Sequence, residues 1–78
     1  LSATVVDLRL LFSMALESLA TSIIIAHNHP SGSLRPSEQD IAITRKIKES
    51  GKTMDIQVLD HIIITKESHF SFADDGLL

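Results

Sequence analysis

The first clear periodicity along the chain is helical. Leu8, Leu11, Phe12, Ala15, Leu16 and Leu19 recur at the i, i+3, i+4, i+7, i+8 and i+11 spacing of one helix face. Asp7 stands just ahead, where its carboxylate can cap the free N–H groups of the first turn. The spacing predicts a helix over 8–20, preceded by Ala3-Thr4-Val5-Val6 as a short strand or the end of one. The pattern changes at Ser22-Ile23-Ile24-Ile25-Ala26-His27. Three consecutive Ile are stiff at χ1 and favour extended chain. Apolar residues on both faces predict a central strand covered on two sides. Residues 28–36 carry Pro30, Gly32 and Pro36 among serines and read as loop. A second helix starts at Ser37, with Asp40 placed close to a capping-box pattern. Ile43 and Ile47 give it a stripe, with Ile41 and Thr44 beside it, and Gly51 reads as its C′ terminator. Ile56 to Thr65 is a second long apolar strand, 66–69 a turn, and Phe70-Ser71-Phe72 a short strand. Strand, helix and strand in succession make a βαβ unit with parallel strands and a right-handed crossover. The first helix can then cover the opposite sheet face. The expected fold class is α/β, layered in the α+β manner, with a mixed sheet and helices on both faces.

Size and composition narrow this further. Seventy-eight residues allow one domain, and 44% hydrophobic residues suffice for a core. A core this small supplies only a few kcal/mol. The chain has no cysteine, which excludes disulfides and thiolate metal sites. What remains is packing, a partner chain, or a metal held by His and carboxylate. The net charge of −3 gives no bulk attraction for phosphate backbones. Arg45, Lys46, Lys48 and Lys52 cluster on a helix that also carries Glu49, and read as a solvated face. No apolar run approaches the roughly 18–20 residues that span a bilayer. Residues 1–20 lack the basic start of a signal peptide. A cytoplasmic chain without a membrane partner is the expectation.

The chemistry concentrates in His27-Asn28-His29-Pro30-Ser31-Gly32 and Pro36-Ser37-Glu38-Gln39-Asp40. Two His at i and i+2 on extended chain project to one side. They sit where a strand ends, the place where open α/β sheets form ligand crevices. Asp40 falls in the first turn of the next helix, whose N-terminus favours the ionised carboxylate. Two imidazoles and one carboxylate suit Zn²⁺ and leave a fourth position for water. The joint spacing, H-x-H-x7-S-x2-D, is far more specific than any one of its residues.

That spacing resembles the motif of the JAMM/MPN-type metalloisopeptidases, and the runs AHNHPSG, PSEQDIAITR and VLDHIII are similar to the bacterial RadC proteins. The resemblance implies a JAMM or cytidine-deaminase-like layered fold over nearly the whole chain. It implies zinc held by His27, His29 and Asp40, with Ser37 as the catalytic donor that stabilises an oxyanion. The reaction implied is hydrolysis of a peptide or isopeptide bond in a peptide or protein substrate. The family's general base is a Glu on a strand before the first helix, and 1–7 contain none. Glu17, Glu38 and Glu67 are placed to face elsewhere. The chain therefore reads either as an N-terminally truncated domain or as one whose natural sequence lacks the base, and without it is impaired by roughly 10²–10⁴-fold. An unpaired sheet edge then predicts association, most simply as a homodimer.

Asp60 and His61 are neighbours on a strand and point to opposite faces, Asp60 with Val58 and Ile62, His61 with Leu59 and Ile63. Buried, each needs a hydrogen-bond partner. A structural role is the first reading, with contact to a ligand imidazole as the other. His69 reads as solvated. Two alternatives to the hydrolase stand: a DNA-repair-associated protein, after the historical label of RadC-like proteins, and a catalytically inactive interaction module. The letters H-N-H at 27–29 do not indicate an HNH nuclease, whose three residues are widely spaced.

Overall fold

A computed structural model describes residues 7–78 as five elements: α1 (Leu8–Glu17), β1 (Ser22–Asn28), α2 (Glu38–Thr53), β2 (Gln57–Ile64) and β3 (His69–Ser71). The strand expected over Ala3–Val6 lies outside the described residues. The sheet order is β1-β2-β3, with β1 parallel to β2 and β2 antiparallel to β3. The expected α+β architecture and mixed sheet are both present.

The core explains why these elements form. Phe12 and Ala15 of α1 and Ile47 of α2 meet Ile56 and Val58 in one cluster, with Ile23 and Ile25 packed against it. Val58 and Ile23 are register partners, so this cluster occupies one face of the sheet. Phe72 and Ile63 are fully buried at the other end of β2. Both helices thus serve one face, and the expected cover of the second face is incomplete among the described residues. Ile24 and Ile64 on that face are 59% and 41% exposed. β1, expected at the centre, is at the sheet edge among the described residues.

Three element ends differ from expectation for local reasons. α1 stops at Glu17, not Ala20, because Leu19 takes a left-handed φ of 55°. The Ala20 amide then donates to Ala15 O and the Leu19 amide to Leu16 O, both bonds of a Schellman motif. Leu19, placed by periodicity on the apolar face, is 86% exposed. α2 ends in the same way, with Asp55 at φ 55° and the Ile56 amide donating to Gly51 O at 2.7 Å. Gly51 is therefore not the C′ residue. It lies inside the helix, where a Cβ would come within 2.4 Å of Ile56 O, so only glycine permits the close approach of β2. β3 spans His69–Ser71, one residue earlier than the pattern suggests.

Candidate metal centre

β1 delivers two imidazoles to one point. The His29 amide donates to Ile64 O at 3.0 Å, which keeps the chain extended past Asn28 and puts His27 and His29 on one side. Their Nε2 atoms are 2.9 Å apart. The following loop turns back at once. The Gly32 amide donates to His29 O, and Gly32 adopts φ 84°, a conformation natural only to glycine. Ser33 O thereby accepts from His29 Nδ1–H at 2.9 Å.

α2 supplies the third group. The Ser37 side chain accepts from the Asp40 amide at 3.0 Å, and Asp40 Oδ2 accepts from the Ser37 amide at 2.8 Å. This reciprocal cap fixes the carboxylate while satisfying two free N–H groups. Asp40 Oδ1 then lies 3.4 Å from His27 Nε2, and Oδ2 lies 3.2 Å from His29 Nε2. Two ligands 2.0–2.1 Å from one tetrahedral ion are about 3.3 Å apart. Each imidazole approaches that spacing to a different Asp40 oxygen, and one ligand atom from each of the three residues lies within 4.8 Å of the others, a group that could hold one cation. Among the described residues no further carboxylate joins this group. Glu17, Glu38 and Glu67 are all exposed.

Electrostatics favour the binding-competent forms. Burial pulls the His27 imidazole below its ordinary range, helped by His29 and opposed by Asp40. Burial pushes the Asp40 carboxyl up, but the Ser37 amide and hydroxyl and the two imidazoles outweigh it and hold the group low. Near neutral pH the ring is neutral and the carboxylate ionised. Ser37 uses its oxygen as an acceptor in the cap, as its N-cap reading requires.

His61 is the residue that the sequence alone underread. It is 2% exposed, and its Nε2 lies 2.7 Å from His27 Nδ1. Its Nδ1 meets Thr44 Oγ1 at 2.5 Å, and its ring stacks on Phe72 with centroids 4.4 Å apart. Burial, then His27, pushes its pKa down to about 4. The pairing of β1 with β2 shifts between Ile23 and Ile24: Ile23 faces Val58, Ile24 faces Asp60, and Leu59 is the extra residue of a bulge. His61 accordingly shares its buried face with Val58 and Ile63, and Leu59 is exposed. Strict alternation had grouped His61 with Leu59 and Asp60 with Val58. Asp60 faces away and ties β2 to β3 through the Ser71 hydroxyl and the Ala73 amide. His69 is exposed, as expected.

The family model of the RadC-like JAB domain matches residues 1–77. The chain belongs to the RadC-like JAB domain family. A UPF0758 protein of Flavobacterium johnsoniae is 49% identical over 99% of this chain, and one of Porphyromonas gingivalis 47% identical over 99%. Another, of Pelobacter propionicus, is 46% identical over the whole chain. The chain spans 34% of the length of each of these curated relatives. The RadC-like JAB domain thus carries a possible metal-binding triad of His27, His29 and Asp40 at the C-terminal end of β1 and the start of α2. Among the described residues, no helix is long and apolar enough to cross a membrane.

Proposed function

We propose that this domain holds Zn²⁺ with His27, His29 and Asp40 and serves hydrolysis of a peptide or isopeptide bond. The observation that supports it most is the convergence of two imidazole nitrogens and a capped carboxylate, 2.9–3.4 Å apart, on one point. Zinc in a site of this donor set polarises a carbonyl and acidifies water to a pKa of about 7. The chain's own residues orient the rest. The cap holds Asp40 in place, and the Ser37 hydroxyl, whose oxygen accepts from the Asp40 amide, is the group that would donate to a developing oxyanion. An apolar groove between α1 and α2 opens beside His27 and Asp40, lined by Leu10, Met14, Ile25 and Ile43. It suits an aliphatic side chain of a peptide substrate.

The described residues place no carboxylate within reach as general base. This favours a second reading, a metal-holding module without turnover, for the chain on its own. The DNA-repair alternative has less support, since the net charge is −3 and the basic residues of α2 are solvated. Zinc content after metal loading and desalting tests the primary reading. One zinc per chain is expected, lost in both His27→Ala and Asp40→Ala. Equal zinc in the three proteins, or none in the unmodified chain, refutes it. A fluorogenic peptide panel on the loaded protein then separates hydrolase from inactive module.

A further inference from the structure

The hydrogen bonds around His27 form a chain whose direction can be fixed from one end. Asp40 O is a carbonyl and only accepts, so Thr44 Oγ1–H donates to it at 2.6 Å. A hydroxyl has one proton. Toward His61 Nδ1, 2.5 Å away, Thr44 Oγ1 can therefore only accept, and His61 Nδ1 carries the N–H. His61 is buried, and no carboxylate meets its ring nitrogens, so the ring is neutral. Its Nε2 then offers a lone pair, and His27 Nδ1–H donates to it at 2.7 Å. This leaves His27 Nε2 with a lone pair and no proton. His29 reaches the same state through its Nδ1–H bond to Ser33 O. Two lone pairs now face each other at 2.9 Å, beside a carboxylate, with no donor among them. Such an arrangement is repulsive until an electrophile enters it.

We propose that His61, backed by Thr44, is a positioning residue that locks His27 in the Nδ1–H form and aims its Nε2 lone pair at the cation site. The inference rests on the metal reading above and extends it. The chain of bonds begins on one ligand of the triad and ends on the backbone of another. It therefore ties the end of β1 to the first turns of α2. The stack of His61 on Phe72, 9° from parallel, holds the relay in plane. A hydrogen bond from the far ring nitrogen is the usual means by which a protein fixes the donor atom of a ligating imidazole.

The test uses the unmodified chain, Thr44→Val, Thr44→Ser, His61→Phe and His61→Gln. Long-range ¹H–¹⁵N NMR of the metal-free proteins reads the tautomer of His27, and competition with a chromophoric chelator reads zinc affinity. Folding is checked by the amide spectrum. Expected is an Nδ1–H His27 in the unmodified chain, lost or mixed in Thr44→Val and His61→Phe. Zinc affinity should fall by about 10–100-fold in those two. Thr44→Ser and His61→Gln keep an acceptor and a donor at the needed positions and should stay within about threefold of the unmodified chain. A merely structural role would not make the Gln and Ser variants recover the tautomer. An Nε2–H His27 in the unmodified chain, or unchanged affinity and tautomer in a folded Thr44→Val, overturns the relay. If Thr44→Val does not fold, the unmodified tautomer and the two conservative variants decide. Zinc binding that fails even in the unmodified chain overturns the metal reading, while the NMR result still judges the relay separately.

Discussion

Replacing Asp60 by alanine should weaken this domain more than any other single surface-side substitution. Asp60 Oδ1 accepts from the His61 amide at 2.7 Å and the Ala73 amide at 3.0 Å, and Oδ2 accepts from the Ser71 hydroxyl at 2.5 Å. The three donors lie on β2, on β3 and just past Phe72, so one carboxylate clamps the segment after β3 that carries the ring stacked on His61. A hydrogen bond to a charged group contributes about 1.5–3 kcal/mol. Three at the low end give about 4.5 kcal/mol, and water can replace the partner of the exposed Ala73 amide, which leaves about 3 kcal/mol. A chain of this length has roughly 4–12 kcal/mol in total. With a urea m-value of about 1 kcal/mol/M, the midpoint should drop by about 3 M in Asp60→Ala. Asp60→Asn keeps Oδ1 for both amides and can donate to Ser71 Oγ, so it should cost only about 1 kcal/mol. The pH dependence follows from the same contacts. Burial pushes the Asp60 carboxyl up, but the Ser71 hydroxyl and the Ala73 and His61 amides outweigh it and hold it below 3.8. A group lowered in the folded state contributes fully above its unfolded value and loses that contribution as pH falls through the folded one. The gap between the unmodified chain and Asp60→Asn should therefore be constant above pH 3.8 and close in more acid solution. Asp60→Ala within about 0.5 kcal/mol of the unmodified chain, or Asn as costly as Ala, would refute the reasoning.

Gly51→Ala should destabilise by about 2 kcal/mol, since its Cβ meets the backbone oxygen of Ile56 at 2.4 Å and β2 must shift; thermal melts read this. Leu19→Gly should stabilise by about 0.5–1 kcal/mol, because Leu19 holds φ 55° while 86% exposed. A lower melting temperature would count against that assignment. Ser37→Gly should keep the helix start within a few tenths of a kcal/mol, whereas Ser37→Ala should lose about 1 kcal/mol; equal losses in urea would contradict the N-cap role. We propose that the chain self-associates through β1, an edge strand among the described residues beside which Ile24 is 59% exposed, and a concentration-independent monomer mass in sedimentation would refute this.

What could be read from sequence was what depends on near neighbours. His27 and His29 are two residues apart where β1 ends, and Ser37 and Asp40 share one helix turn, so local geometry alone carries most of the triad. The element ends were less legible because both helices close on left-handed residues that are not glycine, Leu19 and Asp55. The glycine that looked like a terminator, Gly51, is needed for contact with the next strand instead. Cover of the sheet faces was overread for a related reason. Three consecutive Ile look buried on both sides, yet burial in β1 alternates strictly, and only Ile23 and Ile25 reach the core.

The placement of His61 shows where neighbour rules stop. Its partner His27 lies 34 residues away, and the two rings meet only because parallel pairing sets Ile25 opposite His61 and His27 opposite Ile63. That register includes one extra residue, Leu59. Without the bulge, alternation would put His61 and Val58 on opposite faces, and one of them would leave the core. With it, Val58 packs under Phe12 and Ile47 while His61 reaches Thr44 and His27. The bulge therefore lets a single short strand serve two purposes on one face: an apolar wall at its start and a hydrogen-bonded support for the candidate site at its middle. Sheet irregularities commonly re-aim side chains beside functional sites, and here the re-aimed residue is the one that contacts a member of the triad.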